Sequence, residues 1–289
     1  MSQQHGFGAR GGRPPRREGE LPAARKRFGQ HFLKDSRVLD SIVDALGPLD
    51  GRTVVEIGPG RGALTDRLVE RAGRVVAVEL DRDLVQHLRT RYADLPHVEI
   101  VEADVLTVSL AALAGGPYLL VGNVPYYITT PIIFHALEQP RPDVAVYLVQ
   151  REVADRMAAP PGDKTYGALS VNLQSVVDVT PVRRVPPSAF NPPPTVDSAV
   201  VRVTPRDTPW VEAELEIPFR RFVLAAFGLR RKQLIRVVRT VASLDAAQAA
   251  AVLADAGLPH DVRPEVLTPA DFARLVRVLR RRPEPTVNS

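Results

Sequence analysis

The chain has 289 residues, 45% hydrophobic and 25% charged, with a net charge of +5, a globular composition with apolar material for one large domain and a smaller one. No run approaches the roughly 18 to 20 consecutive apolar residues that span a bilayer, and the N-terminus is rich in Gly and Arg where a secretory signal has an apolar core, so the expected location is the cytoplasm. Zero cysteines exclude disulfides, a thiol nucleophile and Cys-ligated zinc, and the six histidines lack metal-ligand spacing, so no metal is expected.

Residues 1–26 hold five Gly and no apolar periodicity and read as a disordered basic arm. Residues 1–27 carry seven basic against two acidic groups, which supplies the whole net charge and leaves the remaining body formally neutral. RNA affinity of the folded part must then come from local patches. Helical spacing of apolar residues begins at 38–46, and β-branched runs then alternate with helical patterns. Strands are predicted at 53–57, 74–80, 97–105, 117–124 and 143–150, with helices near 62–71, 82–92 and from 131. This alternation predicts an α/β domain over 27–207, with a parallel sheet covered on both faces. A helical stretch after Tyr166, a strand near 176–185, a Pro-stiffened loop at 185–198 and a strand at 198–203 complete it. Residues 208–289 read as helices only, near 215–227, 230–242, 245–256 and 269–281, a small all-α C-terminal domain.

The first strand runs into Gly58-Pro59-Gly60-Arg61-Gly62 directly before a helix, a turn through which backbone can approach a ligand at the carboxyl end of a sheet. Glu79 ends the second strand, the position from which a carboxylate accepts from both ribose hydroxyls, and Asp104 ends the third, within reach of an adenine amino group. The competing role of either carboxylate is a helix N-cap. These features leave a dinucleotide or S-adenosylmethionine open, and the Gly-x-Gly-x-Gly spacing fits S-adenosylmethionine better than the Gly-x-Gly-x-x-Gly turn that seats a pyrophosphate.

After the fourth strand comes Asn123-Val124-Pro125-Tyr126-Tyr127. An adenine amino nitrogen is a poor nucleophile because its lone pair is delocalised into the ring. Two acceptors, the Asn123 side-chain carbonyl and the main-chain carbonyl of Val124 or Pro125, would hold its hydrogens and favour a pyramidal nitrogen, while Tyr126 stacks on the extracted base. Positioning and electrostatics suffice, with no general base required. A turn with core aromatics is the competing reading. Further on, seven basic residues between Arg220 and Arg239, among them Arg230, Arg231, Lys232 and Arg236, occur with no acidic residue, which favours phosphate contact over an ordinary solvated helix face.

Seven segments, KRFGQHFL (26–33), VVEIGPGRGALT (54–65), VVAVELD (75–81), EADVL (102–106), GNVPYYITTPIIF (122–134), PPSAFNPPPTVDSAVVR (186–202) and AFGLRRKQLIR (226–236), resemble in order the ribosomal RNA adenine dimethyltransferase family, most of all its bacterial small-subunit branch of the KsgA type. The resemblance implies a Rossmann-like S-adenosylmethionine-dependent methyltransferase that dimethylates adjacent adenines of small-subunit rRNA. Its implied partner is that rRNA, within a pre-ribosomal particle, and the chain is expected to be a monomer. By the same resemblance His31 and Leu33 close over the cofactor, Gly58, Glu79, Asp104 and Asn123 line it, and Asn123, Pro125 and Tyr126 hold the base with Phe190 as a second aromatic. The chain departs from the family's usual Gln-Asn-Phe and Pro-Tyr-Asn at His31 and Tyr127. The family also holds large-subunit adenine methyltransferases of the macrolide-resistance type and organellar transcription factors. The Pro-rich loop and segment 226–236 look more like the small-subunit branch. A non-catalytic RNA-binding assembly factor is the alternative of a different class, against which the acidic pair and Asn-Val-Pro-Tyr stand.

Overall fold

The computed structural model describes residues 30–281, so the basic arm read at 1–26 lies outside the described residues. The first helix, α1 (Ser36–Leu46), follows β1 (Phe32–Leu33) and starts where the Asp35 side chain accepts from the Val38 N–H at 3.2 Å. Losing such a cap costs about 0.5–2 kcal/mol. Val38, Leu39, Ile42, Val43 and Leu46 form its buried stripe, which packs on the sheet.

Seven strands form that sheet: β2 (Thr53–Ile57), β3 (Arg74–Glu79), β4 (Val98–Glu102), β5 (Tyr118–Asn123), β6 (Val144–Gln150), β7 (Val177–Val185) and β9 (Ser198–Pro205), in the order β4-β3-β2-β5-β6-β9-β7. β2 to β6 are mutually parallel, and β9 runs antiparallel to both β6 and β7. Alternate residues feed two cores. Val55, Ile57, Val76, Val78 and Leu120 face one side, and Val54, Val75, Leu119 and Val121 face the other. Helices α2 (Thr65–Val69), α3 (Arg82–Arg91), α4 (Leu110–Ala114), α5 (Thr129–Ala136), α6 (Arg151–Ala158) and α7 (Ala168–Gln174) fill the connections. Burial on both faces explains the near-continuous apolar runs of the parallel strands.

A separate pair, β1 with β8 (Phe190–Asn191), registers Leu33 opposite Phe190. The third strand is shorter than the sequence suggests and stops at Glu102, because Asp104 turns the chain into a one-turn 3₁₀ helix at Val105–Thr107.

Beyond β9, α8 (Glu216–Gly228), α9 (Leu234–Val241), α10 (Ala246–Asp255) and α11 (Pro269–Arg281) enclose a third core built on Phe219, Val223, Leu234, Val238, Leu253 and Phe272. The helix expected from residue 230 starts instead at Leu234, and Arg230–Lys232 occupy the turn before it, with the Lys232 N–H donating to the Leu229 carbonyl at 2.8 Å. Tyr166 joins this core and donates to the Leu267 carbonyl at 2.8 Å. Arg141, in the loop before β6, pairs with Glu216 of α8, the side chains only 7% and 17% exposed, and the Arg220 guanidinium lies 4.9 Å from the Phe134 ring centre. No helix among the described residues is by itself long and apolar enough to cross a membrane.

Candidate active site

The carboxyl ends of β2, β3 and β5 open into one cleft with about 810 Å³ of solvent-open space, lined among others by Gly58, Gly60, Glu79, Asp104, Asn123, Pro125, Tyr126 and His31. The turn out of β2 requires glycine. Gly62 has φ +87°, and a Cβ there would meet the Tyr92 hydroxyl at 2.5 Å. At Gly60, φ is +60° and a Cβ would sit 3.1 Å from the Phe32 ring, over which the Arg61 guanidinium lies at 4.3 Å.

Glu79 is no helix cap. Its Oε1 accepts from the Leu80 and Asp81 N–H groups, both at 2.9 Å, and its Oε2 from the Gly60 N–H at 3.2 Å, while Asp81 caps α3 by accepting from the Asp83 N–H at 3.0 Å. A carboxylate offers about four acceptor positions, so one remains on Glu79 for a ligand hydroxyl where two ribose bonds were expected. Burial raises its pKa and the three N–H bonds oppose that rise. Asp104 is a helix cap and also stands at the cleft. Its Oδ1 caps the one-turn helix by accepting from the Leu106 N–H at 3.0 Å, which leaves Oδ2 for a ligand.

The Asn123 amide Nδ2 donates to the His31 carbonyl at 2.9 Å. A carbonyl cannot donate, so this bond fixes the amide orientation and leaves Asn123 Oδ1 as an acceptor. The Pro125 carbonyl accepts from the Ile128 N–H at 3.2 Å and from Thr129 Oγ1 at 3.1 Å, which fills its two lone pairs. Of the two main-chain acceptors considered, Val124 is therefore the one with capacity. The Tyr126 ring stacks on His31 with centres 5.9 Å apart, and its hydroxyl shares a 2.5 Å hydrogen bond with Ser198 Oγ. His31 Nδ1 lies 2.9 Å from the Pro192 carbonyl, so the ring is itself held in place.

Leu33 lines a second, adjoining cavity together with Lys34, Glu56 and Arg61, and Gly58, Gly60 and Asn123 border both cavities. The expectation for Phe190 fails. Its side chain is 1% exposed and packs in the core with Leu33, Val185 and Val200, because pairing of β8 with β1 turns it inward. No face of that ring reaches the cleft. Tyr127 is 60% exposed.

Sequence reasoning passed over Ser198 and took Glu56 only as the residue that precedes the glycine turn. Ser198, fully buried at the start of β9, anchors Tyr126, and its only signal was its place in the PPPTVDS segment. Glu56, fully buried at the end of β2, accepts from Thr65 Oγ1 at 2.7 Å, and loss of solvation pushes its carboxyl up to about 8, with Glu79 and Asp66 adding to the rise. Among the basic residues, Arg231, Lys232 and Arg236 are exposed. Arg230 is exposed as well, and Glu265 holds its guanidinium at 2.9 Å. No group of residues suited to a metal ion occurs among the described residues.

A parallel sheet with a glycine turn, acidic strand ends and an Asn-x-Pro-Tyr turn at one cleft defines the class of S-adenosylmethionine-dependent methyltransferases. The model of the family "Ribosomal RNA adenine dimethylase" matches residues 22–280, and the chain belongs to that family. Its relatives include proteins named Ribosomal RNA small subunit methyltransferase A. That of Xanthomonas euvesicatoria pv. vesicatoria is 46% identical over 260 residues, and that of Xanthomonas oryzae pv. oryzae 47% identical over 257, each match covering 88% of this chain and 96% of the relative. Among solved structures, the 23S rRNA methyltransferase ErmE aligns with TM-score 0.68 and 28% identity over 86% of this chain and all of its own. A dimethyladenosine transferase from Plasmodium falciparum aligns with TM-score 0.73 and 26% identity, covering 85% and 96%.

Proposed function

We propose that the protein transfers methyl groups from S-adenosylmethionine to the N6 amino groups of two adjacent adenines near the 3′ end of small-subunit (16S) rRNA, giving N6,N6-dimethyladenine during small-subunit biogenesis. The observation that carries this reading is the Asn123 amide, locked by the His31 carbonyl so that Oδ1 is left to accept beside the cofactor cleft.

The donor set fits the cofactor. Glu79 and Asp104 line the main cleft and no Lys or Arg among the described residues does, which suits a cationic sulfonium nucleoside better than a pyrophosphate. The adjoining cavity adds side chains of both signs, among them Lys34, Arg61 and Asp66, which suits the zwitterionic amino-acid end. When bound, S-adenosylmethionine supplies an electrophilic methyl group. Asn123 Oδ1 and the Val124 carbonyl accept the two amino hydrogens of the base, and the nitrogen lone pair then points away from the ring plane. Tyr126, fixed by Ser198 and His31, offers a ring face to the base. After one methylation only one N–H remains for two acceptors, so stacking carries more of the positioning in the second step.

Arg231, Lys232 and Arg236 are exposed on the helical region 208–281 and are proposed to meet rRNA phosphates, with Arg230 braced beside them by Glu265. The substrate is proposed to be a pre-ribosomal particle in the cytoplasm, with the protein acting as a monomer. The large-subunit reading rests on ErmE at 28% identity and is the weaker, set against 46–47% to the small-subunit relatives. With purified protein, S-adenosylmethionine and small subunits lacking the modification, mass mapping is expected to find dimethyladenine at two adjacent positions. Methylation confined to large-subunit RNA, or none, overturns the reading.

A further inference from the structure

A second basic surface lies between the cleft and the helical region. Helix α6, loop 159–166 and the edge strand β7 wall an open groove lined by Arg151, Lys164, Arg183 and Arg184. Asp155 and Asp163 also line it, four basic groups against two acidic. Asp163 is engaged in shaping the loop, accepting from the Thr165 N–H at 2.7 Å and Thr165 Oγ1 at 2.6 Å. Asp155 lies 3.7 Å from Arg151, and Asp197 lies 3.4 Å from it on the other side. Arg183, in register with Val200, turns its guanidinium to the Arg37 carbonyl at 3.1 Å on the α1 face of the sheet. Arg184, in register with Ala199, is exposed on the face that α6 covers, so Arg184 and Lys164 are the cations free to meet a ligand in the groove. Charges on a sheet edge also discourage edge-to-edge pairing. Here Pro181 and the register shift between Pro181 and Arg183 already blunt that edge, so the exposed Arg184 is more than it needs.

The ends of the groove matter most. At one end, Arg151 follows Gln150, which pairs in register with Ser198, and Ser198 holds the Tyr126 hydroxyl. Arg184 pairs with Ala199, the next residue along the same strand. At the other end, Gly162 of the loop donates to the Glu265 carbonyl at 2.8 Å, and the Glu265 carboxylate braces Arg230. The groove therefore connects the base-stacking ring to the basic turn before α9.

We propose that this groove holds the sugar–phosphate backbone of a single RNA strand leaving the target adenine toward the Arg230–Lys232 turn. The inference rests on the reading of the protein as an RNA adenine methyltransferase. An adenine extracted for chemistry draws its neighbours out of regular stacking, so the strand beside Tyr126 is extended and presents its phosphates to the nearest basic wall.

The test compares wild type with Lys164→Gln/Arg184→Gln, and with Arg71→Gln/Arg89→Gln as an equal loss of charge elsewhere. Binding to unmethylated small subunits is measured across salt concentrations. Two lost phosphate contacts are expected to flatten the log–log slope by about 1.4 in the groove variant alone, at about 0.7 per contact to a single strand. KM for the particle is expected to rise several-fold, with kcat and S-adenosylmethionine affinity unchanged. An active wild type whose slope is the same in the groove variant, or falls equally in the control pair, overturns the groove. A wild type that methylates no RNA overturns the function reading and the groove with it.

Discussion

In the sheet half of the molecule Glu56 and Glu79 of the two adjoining cavities are buried, at 2% and 8% exposure, each held by named donors from neighbouring backbone or Thr65, while Asp104 lines the cleft from an exposed position. In the helical half the basic residues Arg231, Lys232 and Arg236 are exposed, and most acidic groups there serve as braces or caps, as Glu265 does for Arg230 and Asp245 does for α10. A buried charge has its geometry dictated by whatever solvates it in place of water, so it suits recognition of a small ligand. Exposed cations are screened and mobile, and suit a polyanion met at many points. The junction between the halves breaks this pattern, because the pair of Arg141 from the sheet half and Glu216 from the helical half is nearly as buried as Glu56 and Glu79.

That exception gives the largest expected effect. Glu216→Gln leaves the Arg141 guanidinium buried without its partner, which costs about 3–5 kcal/mol, whereas Glu265→Gln breaks an exposed pair worth about 1 kcal/mol or less. Urea denaturation of both variants checks this, and equal losses would erase the distinction between the junction and the basic turn.

Next comes Asn123→Ala. It removes one acceptor for the amino hydrogens and releases the His31 carbonyl, so both methylations are expected to slow by at least about 10²–10³-fold, the scale of losing one aligned polar partner in a reaction centre. Single-turnover assays that quantify mono- and dimethyladenine read the two steps separately. A normal first step would show that Asn123 belongs to the wall and not to the chemistry.

Tyr126→Ala is expected to lose about 1–3 kcal/mol of base stacking, with the second methylation slowed more than the first and monomethyladenine accumulating. Tyr126→Phe keeps the π-face and loses only the Ser198 bond, so it should fall close to Ser198→Ala and well short of the alanine variant. Identical effects of Phe and Ala at this position would mean that the hydroxyl, not the ring, does the positioning.

The smallest effect concerns Glu56. Its folded-state pKa of about 8 lies above its ordinary value of 4.5. Below about pH 4.5 both states are protonated; as pH rises toward 8 the unfolded state ionises while the buried carboxyl resists, so the folded state loses relative stability. Glu56→Gln does not titrate and should gain on wild type between those limits, then level off. Melting temperatures at pH 5, 7 and 9 read the trend, and a difference independent of pH would place Glu56 in a better solvated setting.

The sheet was legible because its strands are short β-branched runs separated by helical periods, and the glycine turn, Glu79, Asp104 and Asn123 fall at strand ends where the chain order alone puts them in one cleft. Helix α6 escaped notice because its apolar face is only Val153, Ala154 and Met157, too short a period to read. Phe190 was misplaced for a different reason. The Pro-rich segment has no periodicity to say which way a side chain turns, and its partner Leu33 lies 157 residues away. Arg230 and its brace Glu265 are likewise 35 residues apart, so a stretch without acidic residues in sequence is not one in space. The Tyr126–Ser198 bond spans 72 residues and carries no local signature at all.

The measurement that bears most directly on the whole account is mass mapping of modified adenines in ribosomal RNA from a strain lacking this gene, complemented by wild type or by Asn123→Ala. The account predicts that two adjacent adenines of small-subunit RNA lose both methyl groups in the deletion, regain them with wild type, and stay unmodified with Asn123→Ala. Full dimethylation in the deletion strain, or its restoration by the Asn123→Ala variant, would contradict it.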